Sequence, residues 1–168
     1  MRKENTFTDP YYTYQIFHQS ENFNKWRKDN TISFKKYRTN WEKRPAEEDP
    51  GEFPLNLNIE ITTKCNLACT FCYHRELTEE QKIHMDFDLF KTIIDEAKIY
   101  KLPAVNLNGL GEPITHPRLV DMIKYCKDAN IEDIMFHTNG TVMTEKLAKK
   151  LIEAGLTQII FSLDTTDK

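Results

Sequence analysis

The run Cys65-Asn66-Leu67-Ala68-Cys69-Thr70-Phe71-Cys72 places three thiols within eight residues, four and then three positions apart. It comes directly after an alternating, strand-like segment, residues 55–61. Cysteines this close in one tight loop reach each other poorly without strain, so a disulfide framework is not what they build. The spacing suits a loop wrapped around a metal centre. Iron–sulfur cubanes are held by cysteine thiolates at such spacings, usually by four of them. Three thiolates leave one iron of a four-iron cube free to bind a small molecule. The same cysteines with His74 also make up a Cys3His zinc tetrahedron. From the spacing alone both readings stand.

Working outward from the cysteines, 168 residues make one domain, or one domain with an extension. The net charge of −3 gives no global argument for nucleic acid or for an anionic membrane. No apolar run approaches the ~20 residues of a transmembrane helix. The first residues, Met1-Arg2-Lys3-Glu4-Asn5, lead into no apolar segment of the signal-peptide kind, so export is not expected. Four cysteines in a chain that is not secreted read as metal-binding or catalytic thiols. Cys126 shares an apolar helical face with Met122 and Ile123 and reads as core packing.

Residues 1–54 differ in character from the rest of the chain. Trp26, Trp41, Tyr11, Tyr12, Tyr14, Phe17, Phe23, Phe34 and Tyr37 are interleaved with charges of both signs, among them Lys25, Arg27, Lys35 and Arg38. Rings and cations together suit base stacking and phosphate contact. The near balance of acid and base favours instead an amphipathic extension whose rings dock on the main domain. The stretch 44–54, rich in proline and acid, reads as the linker into a domain spanning residues 55–168.

That domain opens with a strand over 55–61, where apolar and polar residues alternate strictly. Asp86 caps a helix whose apolar face is Phe87, Phe90, Ile93, Ile94 and Ala97. A second strand over 104–108 runs into Gly109-Leu110-Gly111-Glu112-Pro113. Pro117 suits the first turn of a second helix. A third strand over 133–137 ends in Thr138-Asn139-Gly140, Thr144 caps a third helix, and Gly155 stops it. A fourth strand, 158–163, ends at Ser162-Leu163-Asp164.

Strands and helices alternating at this interval form parallel βα units. Strands buried on both faces would read as continuous apolar runs, as in a doubly wound sheet. Here one face carries Asn56, Asn58, Glu60, Asn106, Asn108, His137, Asn139, Ser162 and Asp164. The other carries Leu57, Ile59, Val105, Leu107, Phe136, Phe161 and Leu163. The pattern predicts a curved, partial parallel (βα) barrel, with helices outside and a polar, ligand-holding concave side. In parallel α/β folds chemistry collects at the C-terminal strand ends, and every unusual motif of this chain lies there.

The set of motifs resembles the radical S-adenosylmethionine (radical SAM) superfamily. The resemblance rests on Cys-x3-Cys-x2-Cys with Phe71 before the last cysteine, on Gly111-Glu112-Pro113, and on the Thr-Asn-Gly turn. It covers about residues 55–165, four of the six βα units of that fold. The superfamily's strand-two motif is Gly-Gly-Glu, and Leu110 stands where its first glycine would be. The resemblance implies that Cys65, Cys69 and Cys72 hold a [4Fe–4S] cluster. It further implies that Gly111 and Glu112 meet the amino group of S-adenosylmethionine, Glu112 by its carboxylate, with backbone approaching the ligand closely at Gly111. Asn139 and Ser162, with Asp164 behind them, are implied ribose contacts, and Phe71 an adenine neighbour. The sequence is most similar to members that carry a C-terminal cysteine-rich SPASM domain, and these 168 residues are expected to be an N-terminal fragment without the last βα units or that domain.

What the resemblance implies chemically is reductive cleavage of S-adenosylmethionine to a 5′-deoxyadenosyl radical, which abstracts hydrogen from an unidentified substrate, peptide or sugar-related. It also implies a low-potential electron donor of flavodoxin or ferredoxin type and a cytoplasmic setting; hydropathy and charge give no expectation of a membrane partner, and nucleic acid stays open only as a role for residues 1–54. The alternatives are the zinc module with His74 and a catalytically inactive fragment. Strand four is apolar with nothing after it to pair its outer edge, so the chain is expected to be incomplete as an enzyme.

Overall fold

The computed structural model describes residues 32–163. The sequence readings for Tyr11 to Trp26 and for Asp164 fall outside that range. Four helices and four strands alternate: α1 (Ile32–Glu47), β1 (Asn56–Asn58), α2 (Phe87–Ile99), β2 (Ala104–Asn106), α3 (Leu119–Asp128), β3 (Asp133–Thr138), α4 (Glu145–Ala154) and β4 (Gln158–Phe161). The strands form one parallel sheet in the order β1-β2-β3-β4. Each neighbouring pair is joined by a helical crossover, the connection that parallel strands require.

The helices start and stop where their sequences dictate. Asp86 Oδ1 accepts from the N–H groups of Asp88 (2.8 Å) and Leu89 (3.1 Å) and so caps α2. Thr144 Oγ1 accepts from Leu147 N–H and caps α4 (3.2 Å). Such caps contribute about 1 kcal/mol each. Gly155 ends α4 at φ 105°, a left-handed conformation that glycine adopts without a Cβ penalty. Pro117 falls just before α3, whose first residue is Leu119. The stretch read as a linker is shorter than expected, because α1 continues through Arg44 and Pro45 to Glu47. Proline this near a helix C-terminus removes only one late hydrogen bond. Arg44 then donates to Phe53 O (2.9 Å), fixing the turn that leads into β1.

The core lies between the sheet and α2–α4. Phe90, Ile94 and Ala97 of α2, Met122, Ile123 and Cys126 of α3, and Leu151 of α4 pack with Ile59, Ile61, Val105, Leu107, Ile134 and Phe136. Each large apolar side chain buried here contributes about 1.5–3 kcal/mol. Burial of the Cys126 thiol pushes its pKa up to about 12, which suits packing rather than ligation. Helix α1 lies at the opposite end of the strands from the cysteines. There Ser33 donates to Glu132, just before β3, and Phe34 and Tyr37 are buried.

Strand register decides what faces the other side. Asn58 aligns with Asn106 and Met135, and His137 with Ile160. Asn58, Glu60, Asn106, Asn108, His137 and Ser162 therefore share the face away from the helices, while Ile59, Val105, Leu107 and Phe136 are buried beneath them. Phe161 and Leu163 depart from the expectation. They have the helix-side parity but are 49 % and 75 % exposed, because β4 is the edge strand and the described helices leave them uncovered.

Candidate functional site

Beyond β1 the chain stays extended and is stapled to residues 81–85. Thr63 N–H donates to Ile83 O (3.0 Å), Met85 N–H to Ile61 O (2.8 Å) and Ile83 N–H to Thr63 Oγ1 (2.8 Å). The Thr62 hydroxyl meets His84 Nδ1 at 2.8 Å. The cysteine loop thus springs from a doubly anchored base. Within it Leu67 N–H donates to Cys65 Sγ (3.5 Å) and Cys72 N–H to Cys69 O (3.1 Å). All three thiols are free and partly exposed. Burial pushes the Cys65 thiol up; the Leu67 N–H opposes it, and the nearby Glu112, Cys69 and Cys72 add to it.

A donor set of three soft thiolates, with no carboxylate or imidazole among them, fits an iron–sulfur cluster. The zinc alternative needs a tighter set. Thiolates about 2.3 Å from one tetrahedral ion stand about 3.8 Å apart. Among the described residues no three His, Cys, Asp or Glu side chains converge to hold a single ion. His74 is 6 % exposed, and its buried Nε2 meets no hydrogen-bond partner among the described residues.

The Gly-Leu-Gly-Glu-Pro loop lies directly against the base of the cysteine loop. A Cβ on Gly111 would collide with the carbonyl oxygens of Thr62 and Lys64, and Glu112 N–H donates to Lys64 O (2.8 Å). What approaches closely at Gly111 in this structure is therefore the chain's own backbone. Gly109 likewise leaves room for the Glu60 carboxylate, which accepts from Leu110 N–H (2.5 Å).

Glu112 does not project toward the open face. It is 3 % exposed, and its Oε1 accepts from Ile114 N–H (3.2 Å) and the Thr138 hydroxyl (2.6 Å), its Oε2 from Asn139 N–H (2.8 Å). Turned inward as the cap of the short 3-10 turn Pro113–Thr115, it ties the second loop to the end of β3.

Asn139 is equally engaged. Its Oδ1 accepts from Thr141 N–H (3.0 Å) and the Thr141 hydroxyl (2.6 Å). Its Nδ2 donates to Asn66 Oδ1 (3.0 Å) and lies 4.0 Å from Cys65 Sγ. Asn66 Nδ2 in turn donates to Thr141 Oγ1 (2.7 Å). Ser162 is exposed beside this turn, its N–H donating to Thr138 O (2.8 Å). Phe71 projects into solvent, 72 % exposed. The bonds of Asn66, Thr138 and Thr141 escape sequence reasoning, although the polar runs beside Cys65 and Gly140 mark where they form.

A parallel sheet with helices on one face, carrying a three-thiol loop after its first strand, defines a class of iron–sulfur α/β proteins. Residues 59–168 match the Radical SAM superfamily, and the chain belongs to that superfamily. The cofactors of this class are a [4Fe–4S] cluster and S-adenosylmethionine. The chain is 38 % identical over 109 residues to a tungsten-containing aldehyde ferredoxin oxidoreductase cofactor-modifying protein of Pyrococcus furiosus, covering 64 % of this chain and 30 % of that protein. It is 36 % identical over 121 residues to a probable GTP 3′,8-cyclase of Methanococcus maripaludis, covering 72 % of this chain and 40 % of the relative. The chain thus spans well under half the length of these relatives. Among solved structures, BtrN in complex with AdoMet and 2-DOIA superposes with TM-score 0.61 at 21 % identity, over 66 % of this chain and 46 % of BtrN. SuiB of Streptococcus suis bound to S-adenosylmethionine superposes with TM-score 0.57 at 21 % identity, over 80 % of this chain and 29 % of SuiB. These likenesses show a shared fold. No helix among the described residues is long and apolar enough to cross a membrane.

Proposed function

We propose that Cys65, Cys69 and Cys72 hold the [4Fe–4S] cluster and that this site cleaves S-adenosylmethionine to act on a further substrate. The observation that carries the proposal is the cysteine loop itself: three free thiols on a base stapled both to residues 81–85 and, through Lys64 O, to the Glu112 loop. When bound, the two cofactors supply one-electron cleavage of the sulfonium carbon–sulfur bond and hydrogen abstraction. The protein's part is positioning and the exclusion of water. Gly111 lets the second loop close on the first. Glu112 and Asn139 brace the loops from within, while Ser162 and the exposed Phe71 ring remain free to meet the nucleoside.

The substrate side is the polar face of the sheet, lined by Asn58, Glu60, Asn106, Asn108 and His137. Burial holds the His137 imidazole below its ordinary pKa and so neutral near pH 7. Among the described residues Asn106 Oδ1 is buried without a hydrogen-bond partner, and a buried acceptor left open calls for a donor. With Asn56, Met135, Gln158 and Ile160, this face carries no Lys or Arg among its described residues. It therefore suits a neutral or cationic group bearing N–H or O–H, such as an amide, an amine or a sugar hydroxyl. A nucleoside triphosphate, as named for the methanogen relative, needs its phosphates held elsewhere. A SPASM-like subtype, a flavodoxin- or ferredoxin-type donor and a cytoplasmic setting complete the proposal.

The test is anaerobic reconstitution of the chain with iron and sulfide. About four irons per chain are expected, as a cubane requires. Cys65→Ala, Cys69→Ala and Cys72→Ala should each lose them, and Cys126→Ala should keep them. Loss of iron only in Cys126→Ala overturns the ligand assignment. Absence of 5′-deoxyadenosine after reduction with dithionite and S-adenosylmethionine overturns the proposed activity of this chain.

A further inference from the structure

The three cysteines are not equivalent in the fold. Cys65 alone receives N–H groups at its sulfur among the hydrogen bonds of the described residues, one from Leu67 (3.5 Å) and one from the Asn139 amide (4.0 Å). Which end of that amide faces the sulfur is fixed by its other partners. Oδ1 accepts twice from Thr141, so the NH2 must point to Cys65 and Asn66. Asn139 is itself held in place because its backbone N–H is bound by the buried Glu112 carboxylate.

Hydrogen bonds to ligating sulfurs raise the reduction potential of iron–sulfur clusters, because they stabilise the more negatively charged reduced state. We infer that Asn139 is a positioning residue that acts through Cys65: its amide N–H tunes the cluster's potential before any S-adenosylmethionine binds. This rests on the cysteine assignment above and replaces the ribose contact expected for the Asn139 side chain. An amide with all its donors and acceptors committed inside the protein has none to spare for a hydroxyl.

The experiment is an EPR-monitored redox titration of the reconstituted full chain without S-adenosylmethionine, with iron counted in every sample. Iron content reports on the cysteine assignment, and the midpoint potential reports on Asn139. Asn139→Ala should lower the reduced-to-oxidised ratio at a fixed potential about tenfold, a negative shift of ~59 mV for one electron. Asn139→Asp, which keeps an acceptor for Thr141 but replaces the donor, should shift it at least as far. Thr141→Val loosens the same latch yet leaves the Thr141 N–H holding the amide, so it should stay within about threefold of wild type. A shift below twofold in both Asn139 variants with iron retained overturns the inference, and so does an equal shift in Thr141→Val. If neither Asn139 variant holds iron, pulsed EPR of wild type carrying 15N in its asparagine amides decides. A 15N coupling to the reduced cluster that survives Asn66→Ala supports the inference, and no coupling overturns it.

Discussion

Replacing Glu112 by glutamine separates an internal brace from a ligand contact. The wild-type carboxylate accepts from three donors, two at Oε1 and one at Oε2, while 3 % exposed. Glutamine keeps the shape but has one acceptor oxygen. With that oxygen on the Ile114 and Thr138 side, the new NH2 confronts the Asn139 N–H, donor against donor. One charge-assisted bond is lost, worth about 1.5–3 kcal/mol, and a buried donor is left unpaired at about 1–3 kcal/mol. Relief of the carboxylate's own desolvation offsets part of this. The net expectation is a loss of about 2–4 kcal/mol, on the order of 10 °C in Tm for a chain of this size. Urea unfolding of the iron-free chain monitored by circular dichroism measures it, with an unchanged m-value as the check that the same structure unfolds. Stability within about 0.5 kcal/mol of wild type would refute the reasoning and return Glu112 to the open face as a ligand group.

The same geometry sets three further outcomes. Asn106→Leu removes the unpaired Oδ1 and should stabilise the iron-free chain by about 1 kcal/mol in urea unfolding, whereas a loss of that size would mean the amide is bonded in solution. Gly111→Ala pushes a Cβ into the Thr62 and Lys64 carbonyls and should cost about 1–3 kcal/mol together with the iron-binding capacity of the loop, both measured on the same preparation; wild-type values for both would mean the loops lie farther apart. For Cys126, the unfolded thiol ionises from about pH 9 while the buried one holds its proton to about 12. The folded state then binds more protons, so this group's contribution to stability falls as pH rises between those values. The difference between wild type and Cys126→Val should shrink across that window in a pH series of unfolding curves, and a difference independent of pH would show the thiol is not buried.

Much of this architecture was written in local patterns. Period-two alternation over residues 55–61 and helical spacing over 87–97 each reflect one buried face, and neither needs long-range information to be read. Asp86, Thr144 and Gly155 act on their own helix ends, and so their roles were visible too. The three cysteines were legible as a metal loop because thiolate chemistry and spacing are properties of eight consecutive residues. Residue order alone thus dictated the parallel βα arrangement, the buried face of β1–β3 and the position of the cofactor loop.

Long-range packing settled which polar groups look outward and which look in. Glu112 and Asn139 carry the residue types of ligand contacts, yet their side chains close on Thr138, Ile114, Asn66 and Thr141. Those partners come from different strand ends, and a hydrogen bond between residues 26 or 73 positions apart leaves no local periodicity to read. The exposure of Phe161 and Leu163 was hidden for the same reason. Alternation gives the face a side chain points to, but whether a helix covers that face depends on how distant segments pack.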